Sequence, residues 1–273
     1  MACRTIGIVN QKGGVGKTTT ALNLSVALAL EGKSVLLIDF DPQGSLSIHA
    51  GLTVKEGQKS LADEMLRIVR SFSAPVINRD GIDYEAITVH IRDGLDFMPT
   101  NIMLYVLEAE LSNAMMREFA LKSALEPIRE KYEFIVIDAN SSLGPLVINV
   151  LTASDEIIIP SKAEYLDVSG VALLLSSGVN RVRYGSNPGI RICGILLTMV
   201  EERLRNFKEI RAALSESAGD NGIYIFDTVI SRTTKYSKSS ARGMSMLEYD
   251  PKSKHASEFI SLAREVIKRH VPN

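Results

Sequence analysis

A β-branched run, Thr5-Ile6-Gly7-Ile8-Val9, leads into Asn10-Gln11-Lys12-Gly13-Gly14-Val15-Gly16-Lys17-Thr18-Thr19 and then into a helical pattern reaching Leu30. No other stretch limits the fold so strongly. Glycines let the backbone curl until consecutive N–H groups converge on one anion, and the N-terminus of the following helix adds its positive dipole end there. In such a loop Lys17 reaches the outer phosphates of a nucleotide, and the Thr18 hydroxyl is a ligand for Mg²⁺. Gly-Lys-Thr-Thr between a strand and a helix separates this segment from an ordinary Gly-rich turn. The usual phosphate loop, GxxxxGK[ST], would need Gly at position 11, where Gln11 stands instead, and it has no counterpart of Lys12.

The rest of the chain repeats the strand–helix alternation. Strands are expected at Ser34–Ile38, Asp96–Pro99, Phe134–Ile137, Glu156–Ile159, Ile190–Leu197 and Ile223–Val229. Most are near-continuous apolar runs, the form of strands covered on both faces. Helical patterns occupy Lys17–Leu30, Asn101–Glu130 (read as two helices), Pro145–Thr152, Val168–Val182, Arg203–Ser215 and His255–Arg269. The expected fold is α/β, a three-layer, doubly wound, mostly parallel sheet with helices on both faces. No repeat or low-complexity linker divides residues 1–273, which read as one domain. Residues 71–94 mix turn residues with an alternating run and read as a surface insertion, with a hairpin as one form.

Composition closes off other classes. With 45% hydrophobic and 23% charged residues, the chain can bury a core and is not disordered. Its two cysteines, Cys3 and Cys193, form no disulfide framework and suit a reducing cytosol. The uncharged stretch Asn140 to Ser154 contains polar residues and is too short for a bilayer span. The N-terminal MACRTIGIVNQKGG makes no signal peptide. A net charge of −1 gives no bulk sign of a nucleic-acid binder. The four histidines form no pair at metal spacing.

Two acidic segments accompany the phosphate loop. Asp39 and Asp41 stand two apart at the end of the second strand, the edge at which open α/β sheets bind ligands. The apolar strand Phe134–Ile137 ends in Asp138, the form of a Walker B acid able to bind Mg²⁺ directly or through water. No NKxD is present, so the guanine-reading device of GTPases is missing. The window Thr228–Leu247 holds Arg232, Lys235, Lys238 and Arg242, no acid, and many hydroxyls suited to phosphate oxygens.

In these segments the chain resembles the ParA/MinD superfamily of P-loop ATPases, through Lys12-Gly13-Gly14-Val15-Gly16-Lys17-Thr18-Thr19 and Ile38-Asp39-Phe40-Asp41-Pro42-Gln43-Gly44. The resemblance runs from about Arg4 to Ile267. It implies ATP and Mg²⁺, with residues 12–19 on the phosphates, Asp41 on the attacking water, and Asp39 on the metal's water shell beside Thr18 and Asp138. It implies that Lys12 crosses a two-fold interface to the partner's nucleotide, as an arginine finger does. By the same resemblance TVISRTTKYSKSSARG matches a region contributing to non-specific DNA binding, and Arg203 in TMVEERL is a second candidate. The implied activity is DNA partitioning: ATP drives sandwich dimerisation and DNA binding, and slow hydrolysis stimulated by a ParB-like centromere-binding partner ends it. The implied place is the cytoplasm, on the nucleoid, with no membrane partner.

Departures stand beside the matches. After Asp138 the family's Thr/Cys-Pro-Pro-Ser-Leu-Gly becomes Ala139-Asn140-Ser141-Ser142-Leu143-Gly144, with both prolines lost. Ser231 and Ser240 also replace prolines, and Lys238 replaces a glutamate. The main alternative is a MinD-like membrane ATPase, which calls for a terminal amphipathic helix free of the core. The stripe Ala256, Phe259, Ile260, Ala263, Val266 and Ile267 looks committed to the domain instead. A nitrogenase-iron-protein role lacks its cluster cysteines, and tyrosine-kinase character lacks a Tyr-rich tail. The chain begins with the phosphate-loop strand, so no operator-reading helix-turn-helix is expected ahead of it.

Overall fold

The computed structural model describes residues 3–52, 54, 57–71, 81–162, 171, 173–201 and 223–269. Seven strands form one sheet: β1 Arg4–Ile8, β2 Val35–Phe40, β3 Val89–Arg92, β4 Leu95–Met98, β5 Phe134–Ala139, β6 Glu156–Lys162 and β7 Arg191–Thr198. Their order is β3-β4-β2-β5-β1-β6-β7, parallel except for the β3–β4 edge. The three-layer α/β expectation is met. β1 lies between β5 and β6, and β2 lies beside β5, so the loops after β1, β2 and β5 open side by side.

Successive residues in the strands face opposite layers. Phe134 and Val136 join the core under α1 (Lys17–Leu30), and Ile135 and Ile137 join the opposite core. That opposite core holds α3 (Leu61–Ser71), α5 (Met103–Leu111), α6 (Ala120–Leu125) and α7 (Pro145–Ala153). Short helices α2 (Ser45–His49) and α4 (Tyr84–Ile87) lie in the connections after β2 and α3. The later helices are α8 (Asn180–Arg183), α9 (Lys235–Ser240), α10 (Met246–Tyr249) and α11 (Lys254–Lys268). In α11 the residues Ala256, Phe259, Leu262, Ala263 and Val266 are buried on the α1 side, so its stripe belongs to the core. Ser253 starts that helix by accepting the Ala256 N–H. Among the described residues, no helix is long and apolar enough to cross a membrane.

Several expectations need correction. Ile223–Val229 is not a strand of the sheet; it touches β7 through a single bridge, Ile195 to Ile225. The reason is competition for its donors: the Asp227 and Thr228 N–H groups go to the Glu265 carboxylate at 2.7 and 3.0 Å instead of to a ladder. Asn101–Glu130 does hold the two expected helices, α5 and α6, with 3₁₀ turns added at Arg117–Phe119 and Glu126–Lys131. Within Val168–Val182, residues 168–170 and 172 lie outside the described residues, and Leu174–Val179 is π-helical before α8. Arg203–Ser215 lies wholly outside them. The expectation for 71–94 is described from residue 81 on, where α4 and the edge strand β3 lie. The turn into β4 needs Gly94, whose φ is +78° and whose Cβ position would lie 2.8 Å from the Lys33 carbonyl oxygen.

Candidate nucleotide and metal site

The loop after β1 is tied down at both ends and open in its middle. Asn10 accepts the Lys12 N–H at 2.9 Å and donates to the Pro160 carbonyl at 2.7 Å, which fixes the loop's start to β6. The Thr198 hydroxyl reaches the Val15 carbonyl at 2.8 Å, which fixes its end to β7. Gly14 and Gly16 take left-handed φ values of +67° and +87°. A Cβ at Gly13 or Gly14 would meet nothing within 4 Å, so the turn leaves its backbone accessible. Thr18 and Thr19 follow in the first turn of α1.

Lys17 is buried, and its ammonium reaches the Ser141 hydroxyl at 2.7 Å and the Lys12 carbonyl at 3.3 Å. Burial pushes its pKa down, against the charges of Asp138 and Asp41. Lys12 itself is exposed at the loop's rim.

Asp39 and Asp138 are direct register partners on β2 and β5. Their surroundings differ. Asp39 accepts the Ser47 N–H and hydroxyl at 2.8 and 2.7 Å, and the Asp41 N–H at 3.2 Å. Burial still pushes Asp39 up to about 6. Asp138 is fully buried, and neither of its oxygens has a hydrogen-bond partner of normal geometry. Burial raises its pKa well above the usual range and Asp39 adds to that, with the Thr18 hydroxyl and Lys17 opposing. Two adjacent buried carboxylates, one with both oxygens orphaned, form a costly arrangement in a bare protein. A hard divalent cation bound by oxygen donors removes that cost, so Thr18, Asp39 and Asp138 fit Mg²⁺. Asp41 lies on the rim, where its Oδ1 accepts the Gln43 N–H at 2.9 Å.

A cavity of about 530 Å³ opens beside Gly16 and Thr19, walled by Thr198, Met199, Ile230 and Tyr236. A second, of about 630 Å³, runs along Pro42–Gly44 and α2 but reaches no residue of the phosphate loop. The first is therefore the one continuous with the anion site.

Residues 3–192 match the family described as "AAA domain". The sporulation initiation inhibitor protein Soj of Bacillus subtilis (strain 168) is 38% identical over 264 residues, covering 96% of this chain and 98% of its own. The chromosome partitioning protein ParA of Caulobacter vibrioides (strain NA1000 / CB15N) is 36% identical, covering 97% of this chain and 94% of its own. This chain belongs to the ParA/Soj family of P-loop ATPases. Among solved structures, cobyrinic acid a,c-diamide synthase from Mycobacterium smegmatis, with bound ATP analog and magnesium, superposes with a TM-score of 0.77 at 29% identity, covering 96% of this chain and 93% of that one. The Pyrococcus furiosus cell division ATPase MinD gives a TM-score of 0.72 at 24% identity, over 97% of this chain and 98% of that one, a likeness of fold.

In this ParA/Soj-type ATPase the cationic window has a different surrounding from the one its sequence suggests. Arg232 pairs with Glu201 at 2.7 Å and lines the cavity beside the phosphate loop. Lys235 pairs with Asp250 at 2.6 Å. Lys238 is exposed on α9, and the Arg242 guanidinium lies over the Tyr249 ring at 5.1 Å. Arg203 lies outside the described residues. The structure thus groups Lys12–Thr19, Asp39, Asp41 and Asp138 at one sheet edge and leaves Lys235, Lys238 and Arg242 on α9 and the turn after it. Sequence reasoning did not single out Asn10, Ser47, Ser141 and Thr198. Three of them had a signal: Asn10 and Thr198 open the quoted segments Asn10–Thr19 and TMVEERL, and Ser141 lies in the segment that departs from the family after Asp138.

Proposed function

We propose that this protein is a DNA-partitioning ATPase whose ATP-bound form is a dimer on DNA. The observation that carries the reading is the convergence of Lys17, the orphaned Asp138 and its neighbour Asp39 beside an open glycine loop, in a chain related over nearly its whole length to Soj and ParA. The loop N–H groups and Lys17 bind the phosphates, and the 530 Å³ cavity takes the nucleoside. Mg²⁺, held by Thr18 and Asp138 with Asp39 on its water shell, supplies charge neutralisation at the phosphates. Asp41 accepts a hydrogen bond from the attacking water and orients it. Lys12, exposed on the loop's rim, crosses to the nucleotide of a second copy and so couples ATP to dimerisation.

The dimer binds DNA through its phosphates, without sequence preference, using Arg203, Arg232, Lys235, Lys238 and Arg242. A ParB-like centromere-binding protein speeds hydrolysis and ends the DNA-bound state. The working place is the nucleoid, in the cytoplasm. Two measurements test this. The ATPase rate should rise when DNA and the cognate ParB-like protein are both added, and a rate indifferent to both would refute the partitioning role. Light scattering should show an ATP-dependent dimer in the wild type and a monomer for Lys12→Ala; a monomer under every condition would remove the sandwich.

A further inference from the structure

Helix α5 presents two polar side chains one turn apart, Tyr105 and Glu108, to both carboxylate-bearing loops. The Tyr105 hydroxyl accepts a hydrogen bond from Gln43 Nε2, and the Gln43 backbone N–H in turn donates to Asp41 Oδ1 at 2.9 Å. Three residues further on, Glu108 faces the segment that follows Asp138. A Cβ at Gly144 would lie only 3.1 Å from Glu108 Oε1, so the carboxylate comes this close because residue 144 has no side chain. That same segment carries Ser141, the partner of the Lys17 ammonium at 2.7 Å. Burial and then the charge of Asp41 raise the Glu108 carboxyl above its usual range, which agrees with a place facing the Asp41 rim. Neither of the motifs flags it.

We propose that Glu108 is a further catalytic residue, the second acceptor that orients the attacking water together with Asp41. The proposal rests on the ATPase reading above. A water held by one carboxylate keeps rotational freedom about that hydrogen bond. Held by two, it has both O–H groups engaged and turns a lone pair toward the terminal phosphorus, which is the orientation that displacement needs. In the step, the water oxygen forms a bond to that phosphorus, and the bond from phosphorus to the bridging oxygen breaks. Its electron pair leaves on the diphosphate, and the water's proton passes to Asp41. Glu108 takes no proton.

A purely structural role predicts something else. Gly144 is the N-cap of α7, and a carboxylate near a helix N-terminus stabilises it electrostatically. Loss of that contact would lower thermal stability and leave turnover intact.

The test compares wild type, Glu108→Gln and Glu108→Asp in single-turnover ATP hydrolysis, fluorescent-ATP binding and thermal melting. Glu108→Gln should lose on the order of 10- to 100-fold in kcat with nucleotide affinity and Tm unchanged, and Glu108→Asp should recover part of the loss. Wild-type turnover in Glu108→Gln overturns the proposal, and so does a rate loss matched by an equal loss of affinity or by a fall in Tm. A wild-type protein that neither binds nor hydrolyses ATP sinks the ATPase reading and this proposal with it, an outcome distinct from the other two.

Discussion

Asp138 and Asp39 are neighbours in the sheet with opposite hydrogen-bond status, and that difference assigns them different work. Asp39 has its oxygens engaged by Ser47 and by the Asp41 N–H, so it ties α2 and the rim loop to β2. Asp138 has no hydrogen bond of normal geometry, only the Thr18 hydroxyl beside it, and so is available to a cation. Asp138→Asn removes the proposed anionic ligand while keeping shape. Mg²⁺-dependent ATP hydrolysis should fall by about 100-fold or more, and Mg²⁺ should no longer tighten nucleotide binding. Fluorescent-nucleotide titration with and without EDTA checks this.

Cys193 gives a prediction away from the site. It is fully buried on β7, and burial is the main reason its thiol is pushed up to about 12, with Glu156 adding to it. The folded protein therefore holds a proton that the unfolded chain, titrating near 9, gives up. Its contribution to stability is complete below pH 9 and is lost as pH rises from there through about 12, at about 1.4 kcal/mol per unit of difference. The thiol should resist alkylation at pH 8 until denaturant is added. Cys193→Ala removes the titrating thiol, so its melting curve should lose this alkaline component. Rapid labelling of Cys193 in the native protein would show the site to be open.

At the scale of elements, what the sequence made legible follows from how local each signal is. β1, the loop and α1 are contiguous, and their apolar run and glycines need no distant partner to be read. The α11 stripe is equally local, and its burial against α1 is observed as expected. Ile223–Val229 has the same apolar look, but its fate depends on Glu265, 38 residues from Asp227 in sequence. The pairing of Arg232 and Lys235 was not legible from window charge for a similar reason, because Glu201 and Asp250 arrive from outside the window. Helix α3 escaped notice although its Leu61, Met65, Leu66 and Val69 are buried at helical spacing.

The Glu265 arrangement is testable by acid. Burial alone would raise its carboxyl, and the hydrogen bonds from Tyr224, Asp227 and Thr228 outweigh burial and hold it below 4.5. A lowered folded pKa means that the stabilisation is present above 4.5 and is lost as pH falls through the folded value. Glu265→Gln should remove that acid-side dependence from the melting temperature. In the same layer, Leu262→Ala opens a cavity between α11 and α1 and should cost about 2–5 kcal/mol in urea unfolding. A loss under 1 kcal/mol (about the size of a surface effect) would mean that α11 is not the cover the fold requires.

For the whole molecule, a net charge of −1 hides an uneven distribution, and the proposed DNA contact turns on which of its cations are already paired. Phosphates compete for cations that already have partners. Arg232 and Lys235 each hold a carboxylate, so moving them onto a duplex gives up an ion pair. Lys238 is exposed on α9, and Arg242 keeps its charge while resting on an aromatic face. These two should therefore contribute more to counterion release than the other two. Each phosphate contact contributes about 0.9 to the slope of log affinity against log salt. Lys238→Ala with Arg242→Ala should lower the slope by up to about 2 and weaken binding equally on two unrelated duplexes. Lys235→Ala should change it less. Fluorescence anisotropy between about 50 and 200 mM salt, with ATP and Mg²⁺ present, measures all three. An unchanged slope in the double variant would place the DNA face elsewhere on the molecule. A loss confined to one of the two duplexes would point to base reading, which backbone contacts of this kind cannot supply.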